Sequence, residues 1–254
     1  MPNLFSLEGR TALVTGSSQG IGFSLARGLA AAGARVILNG RDAAKLAAAK
    51  ATLEAEGYRI EAAGFDVTNG AETRDAIDRI ERDIAPIDIL VNNAGIQRRA
   101  PLHEFAEETW SELMRTNLDS VFLVGQAVAK HMIGRGRGKI INICSVQSML
   151  GRPNIAPYAA SKGALVMLTK GMCTDWAPLG LQINGLAPGY FETELTQALV
   201  DDETFSTWLK GRTPARRWGK VEELNGAAVF LASSASDFVN GHILYVDGGI
   251  TSCL

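Results

Sequence analysis

At 254 residues with 46% hydrophobic side chains, the chain is long enough to bury a sizeable core in one large α/β domain or two small ones. A formal net charge of −2 offers no general attraction for nucleic acid or an anionic membrane, no apolar run reaches the roughly 18 residues of a membrane span, and the opening MPNLFSLEGR lacks a secretory-signal layout. Cys144, Cys173 and Cys253 give neither a disulfide framework nor a paired metal knuckle, and His103, His131 and His242 lack ligand spacing, so a reduced, soluble, cytoplasmic protein without a metal site is expected.

TALVT (11–15) reads as the first strand. TGSSQGIG (15–22) follows it and opens a helix over about 21–32. Glycines at 16, 20 and 22 allow a tight turn and a close approach of backbone to a pyrophosphate, whose charge the first helical amides meet. A glycine triplet alone says little. Its place between strand and helix in the first βαβ unit is the context of dinucleotide binding, with Gly16, Ser18, Gln19, Gly20 and Ile21 at the phosphates.

RVILN (35–39) is the second strand. An NAD enzyme usually ends this strand in a carboxylate for the adenosine 2′-hydroxyl. Here stand Asn39, Gly40 and Arg41, with no acid before Asp42, so repulsion toward a 2′-phosphate is absent and Arg41 offers it a cation. NADP(H) is expected, with NAD(H) the poorer alternative. A helix near 42–56 leads to RIEAAGFDV (59–67), whose Asp66 and Val67 are placed to bond and flank an adenine; the plainer alternative has Asp66 capping the next turn.

A helix near 70–84 precedes the strand DILVNNAG (88–95), and a long helical region covers about 107–133. KIINICS (139–145), a helix bearing Tyr158 and running to about Trp176, QINGLAPG (182–189) and HILYVDGG (242–249) complete the series. Strands separated by helices of this length imply right-handed βαβ units: an α/β fold with a doubly wound parallel sheet and helices on both faces. No linker, charge block or repeat divides it, so a single domain over 1–254 is expected, with the irregular stretch 187–218 as a flap over the substrate.

In SVQSMLGRPNIAPYAASK, Ser145 stands thirteen residues before Tyr158-x-x-x-Lys162. Residues four apart share a helix face, so Tyr158 and Lys162 can point into one pocket. A free phenol titrates at about 10; a cation beside it would draw that value down, and Ser145 can hydrogen-bond the oxygen that gains or loses charge. The set suits interconversion of an alcohol and a carbonyl.

With T-G-x-x-x-G-x-G, Asn92-Asn93-Ala94-Gly95, Asn117, Ser145, Tyr158-x-x-x-Lys162 and Pro188-Gly189 in order, the chain resembles the short-chain dehydrogenase/reductase family over nearly its whole length. The resemblance implies a Rossmann-type seven-stranded sheet, NAD(P)(H)-dependent chemistry and a homotetramer built partly through the long helices. It implies Tyr158 as general acid in reduction and base in oxidation, with Lys162 lowering its pKa and bonding the nicotinamide ribose. Ser145 would polarise the substrate oxygen, and Asn117 would hold a water linking Lys162 to solvent. Asn93, Ala94 and Gly95 would line the cofactor. After Pro188 and Gly189, the Tyr190 backbone and the Thr193 hydroxyl would meet the nicotinamide amide and pyrophosphate.

NNAGIQRR (92–99), INICSVQS (141–148), APGYFETELTQALV (187–200), RTPARRWG (212–219) and SDFVNGHILYVDGG (236–249) resemble the gluconate 5-dehydrogenases within that family. That likeness implies reversible oxidation of D-gluconate at C5 to 5-dehydro-D-gluconate. A small sugar acid needs a cation and polar partners. Arg98 and Arg99 are the candidates for its carboxylate, Arg99 slightly favoured, and Gln147 sits two residues from the catalytic hydroxyl. Arg152 reads better as a solvated loop charge. The runner-up is a 3-oxoacyl-carrier-protein reductase with a basic entrance; the non-enzymatic alternative is an NADPH-binding sensor.

Overall fold

The computed structural model describes residues 3–194 and 196–253. Its first half runs β1 (Thr11–Val14), α1 (Gly20–Ala31), β2 (Arg35–Gly40), α2 (Ala43–Ala55), β3 (Ile60–Gly64), α3 (Gly70–Arg79) and β4 (Ile89–Asn92). Then come α4 (Glu107–Met114), α5 (Ser120–Arg135), β5 (Gly138–Ile143), α6 (Ala156–Trp176) and β6 (Leu181–Pro188). A short pair, β7 (Phe191–Glu192) and β8 (Gly219–Lys220), brackets α7 (Gln197–Val200) and α8 (Glu203–Arg212); α9 (Asn225–Ala232) precedes β9 (Ile243–Val246).

Seven strands form one parallel sheet in the order β3-β2-β1-β4-β5-β6-β9, the doubly wound arrangement expected. Strand direction alternates side chains between two cores. Ala12, Val14, Val36 and Leu38 face the α1, α2 and α9 side, whereas Leu13 and Ile37 face the α3, α5 and α6 side. Every residue of β1, β4 and β5 is buried, which is why those strands read as near-continuous apolar runs. Each fully buried Leu or Ile contributes on the order of 2 kcal/mol. The strand order reverses between β1 and β4, opening a crevice at their carboxyl ends.

The expected helices differ from those observed at two places. The helix expected to 84 ends in a wide π turn, Ile80–Ile84, and the region expected over 107–133 is interrupted by another, Arg115–Asp119. Nor does any expected element correspond to α9: NGAAVFLA is apolar almost throughout, so it carries no amphipathic period.

The 187–218 stretch, in which Leu195 lies outside the described residues, is not a bare surface loop. Leu209 and Trp218 form a third small core with Val146 and Ile250, joined by Tyr190, Leu199 and Phe205. Trp218 Nε1 donates to Ser206 Oγ at 2.8 Å, tying the return segment to α8. Among the described residues, no helix is long and apolar enough to cross a membrane, and no group of three His, Cys, Asp or Glu could hold a metal ion.

Candidate active site

Where β1 and β4 end, Thr15 Oγ1 accepts from the amides of Asn93 (3.0 Å) and Ala94 (3.1 Å), and Asn93 Nδ2 donates to the carbonyls of Thr15 and Gly16, both at 2.9 Å. The clasp brings the glycine turn so near β4 that a Cβ at Gly16 would lie 2.8 Å from Ala94 Cα, and one at Gly22 would meet the Asn93 amide and, at 2.5 Å, the Gly16 carbonyl. Gly16 also has φ +60°. No side chain caps α1 and no acid occupies its first turn, leaving its first amides available to an anion. These features fit a dinucleotide pyrophosphate.

The adenosine end holds residues that the sequence reading did not single out. Asn39, noted only as the absence of an acid, is buried: Oδ1 accepts from Gly16 N at 3.3 Å, and Nδ2 donates to the carbonyls of Ala63 and Phe65, both at 3.1 Å. It stitches the ends of β1, β2 and β3 together. Asp42 turns its carboxylate onto the amides of Ala44 and Lys45, both at 3.0 Å, capping α2. Arg41 stays 71% exposed, with Nη1 3.6 Å from Asp66 Oδ2. Asp66 Oδ1 accepts from Thr68 N (2.9 Å) and Thr68 Oγ1 (2.8 Å), the local turn foreseen as the plainer alternative. Burial pushes the Asp66 carboxyl up, but those bonds and Arg41 outweigh it and hold it below its usual range. Lys45, one helical turn after Arg41, adds a second cation to the cleft wall, with Nζ 3.3 Å from Gln19 Oε1.

One cleft of about 580 Å³ runs from this end past Gly16, Asn93 and Gly95 to Pro188, Tyr190 and Thr193. Every residue expected at the cofactor lines it.

Midway, Tyr158 and Lys162 stand one turn apart on α6. The Lys162 ammonium donates to the Ile143 carbonyl at 2.7 Å and lies 5.8 Å from the centre of the Tyr158 ring. Burial pulls Lys162 down to about 8. The phenol departs from the sequence expectation. Burial pushes its pKa up, the Ser145 hydroxyl only moderates that rise, and Lys162 is anchored on β5 rather than on the phenol oxygen. Ser145 Oγ accepts from Gln147 N at 3.1 Å, leaving its own proton free to donate.

Asn117 lies in the wide Arg115–Asp119 turn, is wholly buried, and does not line the cleft. Its Oδ1 accepts from Ile96 N at 2.8 Å, while Nδ2 donates to Ile96 O at 2.9 Å and Ser161 Oγ at 3.2 Å. The side chain therefore bolts the segment after β4 to α6 beside Lys162, and the water expected on it would have to bond elsewhere on the residue.

The far end separates the two neighbouring arginines. Arg98 turns away to pair with Glu112 at 3.0 Å and lies outside the cleft wall, whereas Arg99 lines it. Arg152, read from the sequence as a solvated charge, lines it as well. Burial, then the charge of Arg152, lowers the Arg99 pKa. Gln147 Nε2 donates to Tyr190 Oη at 3.1 Å, and the Tyr190 ring packs edge-on against Trp218, centroids 5.9 Å apart. The Thr193 hydroxyl is engaged by Thr196 Oγ1 at 2.9 Å.

The sequence profile described as short chain dehydrogenase matches residues 10–204, which span the cradle, Ser145, Tyr158 and Lys162. The chain belongs to this family. As a short chain dehydrogenase it is an oxidoreductase. A gluconate 5-dehydrogenase from Gluconobacter oxydans is 65% identical over 253 residues, covering 100% of this chain and 99% of that protein. A 5-keto-D-gluconate 5-reductase from Escherichia coli is 58% identical over 250 residues, covering 98% of each. The crystal structure of a gluconate 5-dehydrogenase from Burkholderia cenocepacia, in complex with NADP and tartrate, superimposes with a TM-score of 0.97 at 64% identity, covering 99% of this chain and 98% of that one.

Proposed function

We propose that this short chain dehydrogenase interconverts D-gluconate and 5-dehydro-D-gluconate with NADP(H), Tyr158 moving the proton. The observation that carries the reading is one continuous cleft that joins a cationic dinucleotide cradle to a basic pocket beside Tyr158. Relatives named for both directions of this reaction support it, as does a relative holding NADP and a hydroxy diacid.

The chain's own groups divide the work. Gly16, Gly20 and the amides opening α1 would hold the pyrophosphate, Arg41 and Lys45 the 2′-phosphate, and Asp66 and Val67 the adenine side. The bound cofactor supplies hydride to the ketone carbon or takes it from the alcohol. Tyr158, a phenol already neutral at pH 7 and kept so by burial, donates its proton to the ketone oxygen in reduction and recovers one in oxidation. Ser145 donates to the same oxygen. Lys162 keeps a positive charge close behind the phenol, which favours its ionised form at the moment of transfer. Arg99 meets the carboxylate.

Purified protein with 5-ketogluconate is expected to consume NADPH rapidly and NADH slowly, followed by loss of reduced-nicotinamide absorbance. Turnover of an acetoacetyl thioester in place of 5-ketogluconate would reject the sugar-acid reading. Arg41→Ala is expected to raise the KM for NADPH about tenfold, the scale of one charge-assisted phosphate contact, while that for NADH stays within about twofold. Equal effects on both cofactors would remove Arg41 from the 2′-phosphate. A homotetramer is part of the proposal: Trp110, Phe122 and Met167 leave large apolar side chains exposed on α4, α5 and α6.

A further inference from the structure

We infer that Arg152 is a specificity-determining residue that completes a two-arginine clamp with Arg99 for the substrate carboxylate, and that Phe205 on the flap holds it in place. The inference rests on the sugar-acid reading above.

Two guanidinium groups share one end of the cleft, and among the described residues neither has a carboxylate partner. Arg99 is exposed and Arg152 half-buried, and the charge of each disfavours the other, so the pair favours an anion between them. Arg152 Nε is buried and unpartnered, although the guanidinium is a five-donor group that seeks acceptors. Its Cζ lies 5.0 Å over the Phe205 ring. A cation–π contact of this kind holds the guanidinium in place without using any of its N–H donors, which stay available to a carboxylate. Phe205 is itself fixed, packed against Tyr190 (5.8 Å) and Trp218 (6.2 Å), so the position of Arg152 depends on α8 being seated.

A second unused group points to the rest of the ligand. Gln147 is 92% buried, its amide nitrogen is tied to Tyr190, and Oε1 has no partner. A buried acceptor beside Ser145 calls for a hydroxyl donor. The pocket thus reads a carboxylate at the arginines and a hydroxyl at Gln147, the pattern of a polyhydroxy acid.

The test uses Arg152→Met, which keeps an apolar stem but removes the charged head, Arg152→Lys and Phe205→Leu. For Arg152→Met the KM for 5-ketogluconate is expected to rise about 10- to 100-fold with kcat changed less than about threefold, the signature of binding shared by ground and transition states. Calorimetric affinity for tartrate, measured with saturating NADP, should fall by a similar factor, while that for the neutral analogue threitol should not change. Arg152→Lys should recover part of the loss, and Phe205→Leu should shift the KM in the same direction. A fall in kcat at unchanged KM, or equal tartrate binding by wild type and Arg152→Met, overturns the clamp. If the wild type does not turn over 5-ketogluconate, it is the proposed reaction that fails, and the tartrate comparison still decides the clamp.

Discussion

Tyr158→Phe is expected to lower kcat about a thousandfold in both directions while leaving cofactor affinity within about twofold, since positioned acid–base catalysis is worth roughly 10²–10⁴. The substitution deletes one oxygen and keeps the ring. Lys162 should stay in place, because its ammonium bonds the Ile143 carbonyl at 2.7 Å and not the phenol. The loss can therefore be assigned to the proton. Steady-state rates with 5-ketogluconate and NADPH, with NADPH binding measured separately, check it; more than a few per cent of the original kcat would place proton transfer on another group. The raised phenol pKa also sets a direction for pH. Reduction uses the neutral phenol, which burial favours through neutral pH, whereas oxidation uses the phenolate and should accelerate from neutral to alkaline pH in the wild type but not in Tyr158→Phe.

The parts of the site legible in the sequence are those whose chemistry is local. Glycines between a strand and a helix, and a Tyr and Lys one helical turn apart, are placed by spacing and local context, and both sets line the cleft. The frame was legible because strands buried on both faces are apolar runs between helices. What escaped depends on partners far along the chain. Arg98 and Arg99 are neighbours with the same side chain, and only Glu112, on α4, draws one of them out of the cleft. Arg152 resembles any loop arginine until α8 folds back and sets Phe205 against it. Asn39 looked like a missing acid, yet its amide joins three strand ends. The wide turn at Arg115–Asp119 has no residue signature either. It is a feature of hydrogen bonding, and it carries Asn117 to Ile96 and Ser161.

Lys162→Met is expected to lower kcat at least about a hundredfold and yet to raise the melting temperature at pH 7. The wild-type ammonium is buried, only 5% exposed, and burial lowers its pKa from 10.5 to about 8. That shift corresponds to about 3 kcal/mol borne by the folded state while the group is charged. Methionine fills similar space without a charge. Losing the bond to Ile143 O takes back about 1–1.5 kcal/mol, leaving a net gain of about 1–2 kcal/mol, or roughly 2–5 °C for a domain of this size. The pH dependence separates this cause from better packing. Below about 8 both the folded and unfolded Lys162 are protonated and the penalty is whole; as pH climbs from about 8 toward 10.5 the folded lysine sheds its proton first, so wild-type stability rises relative to the variant and the gap closes. Cys144, its thiol pushed up to about 11 by burial, destabilises the fold on the alkaline side of its ordinary 9.0, but it does so in both proteins and largely cancels in the difference. Paired thermal melts across that range check the expectation. A variant that melts lower at pH 7, or a gap that stays constant with pH, would mean that the charge is accommodated without penalty. A closing gap, together with the lost turnover, would identify Lys162 as a residue that destabilises the fold in order to hold a cation behind the phenol.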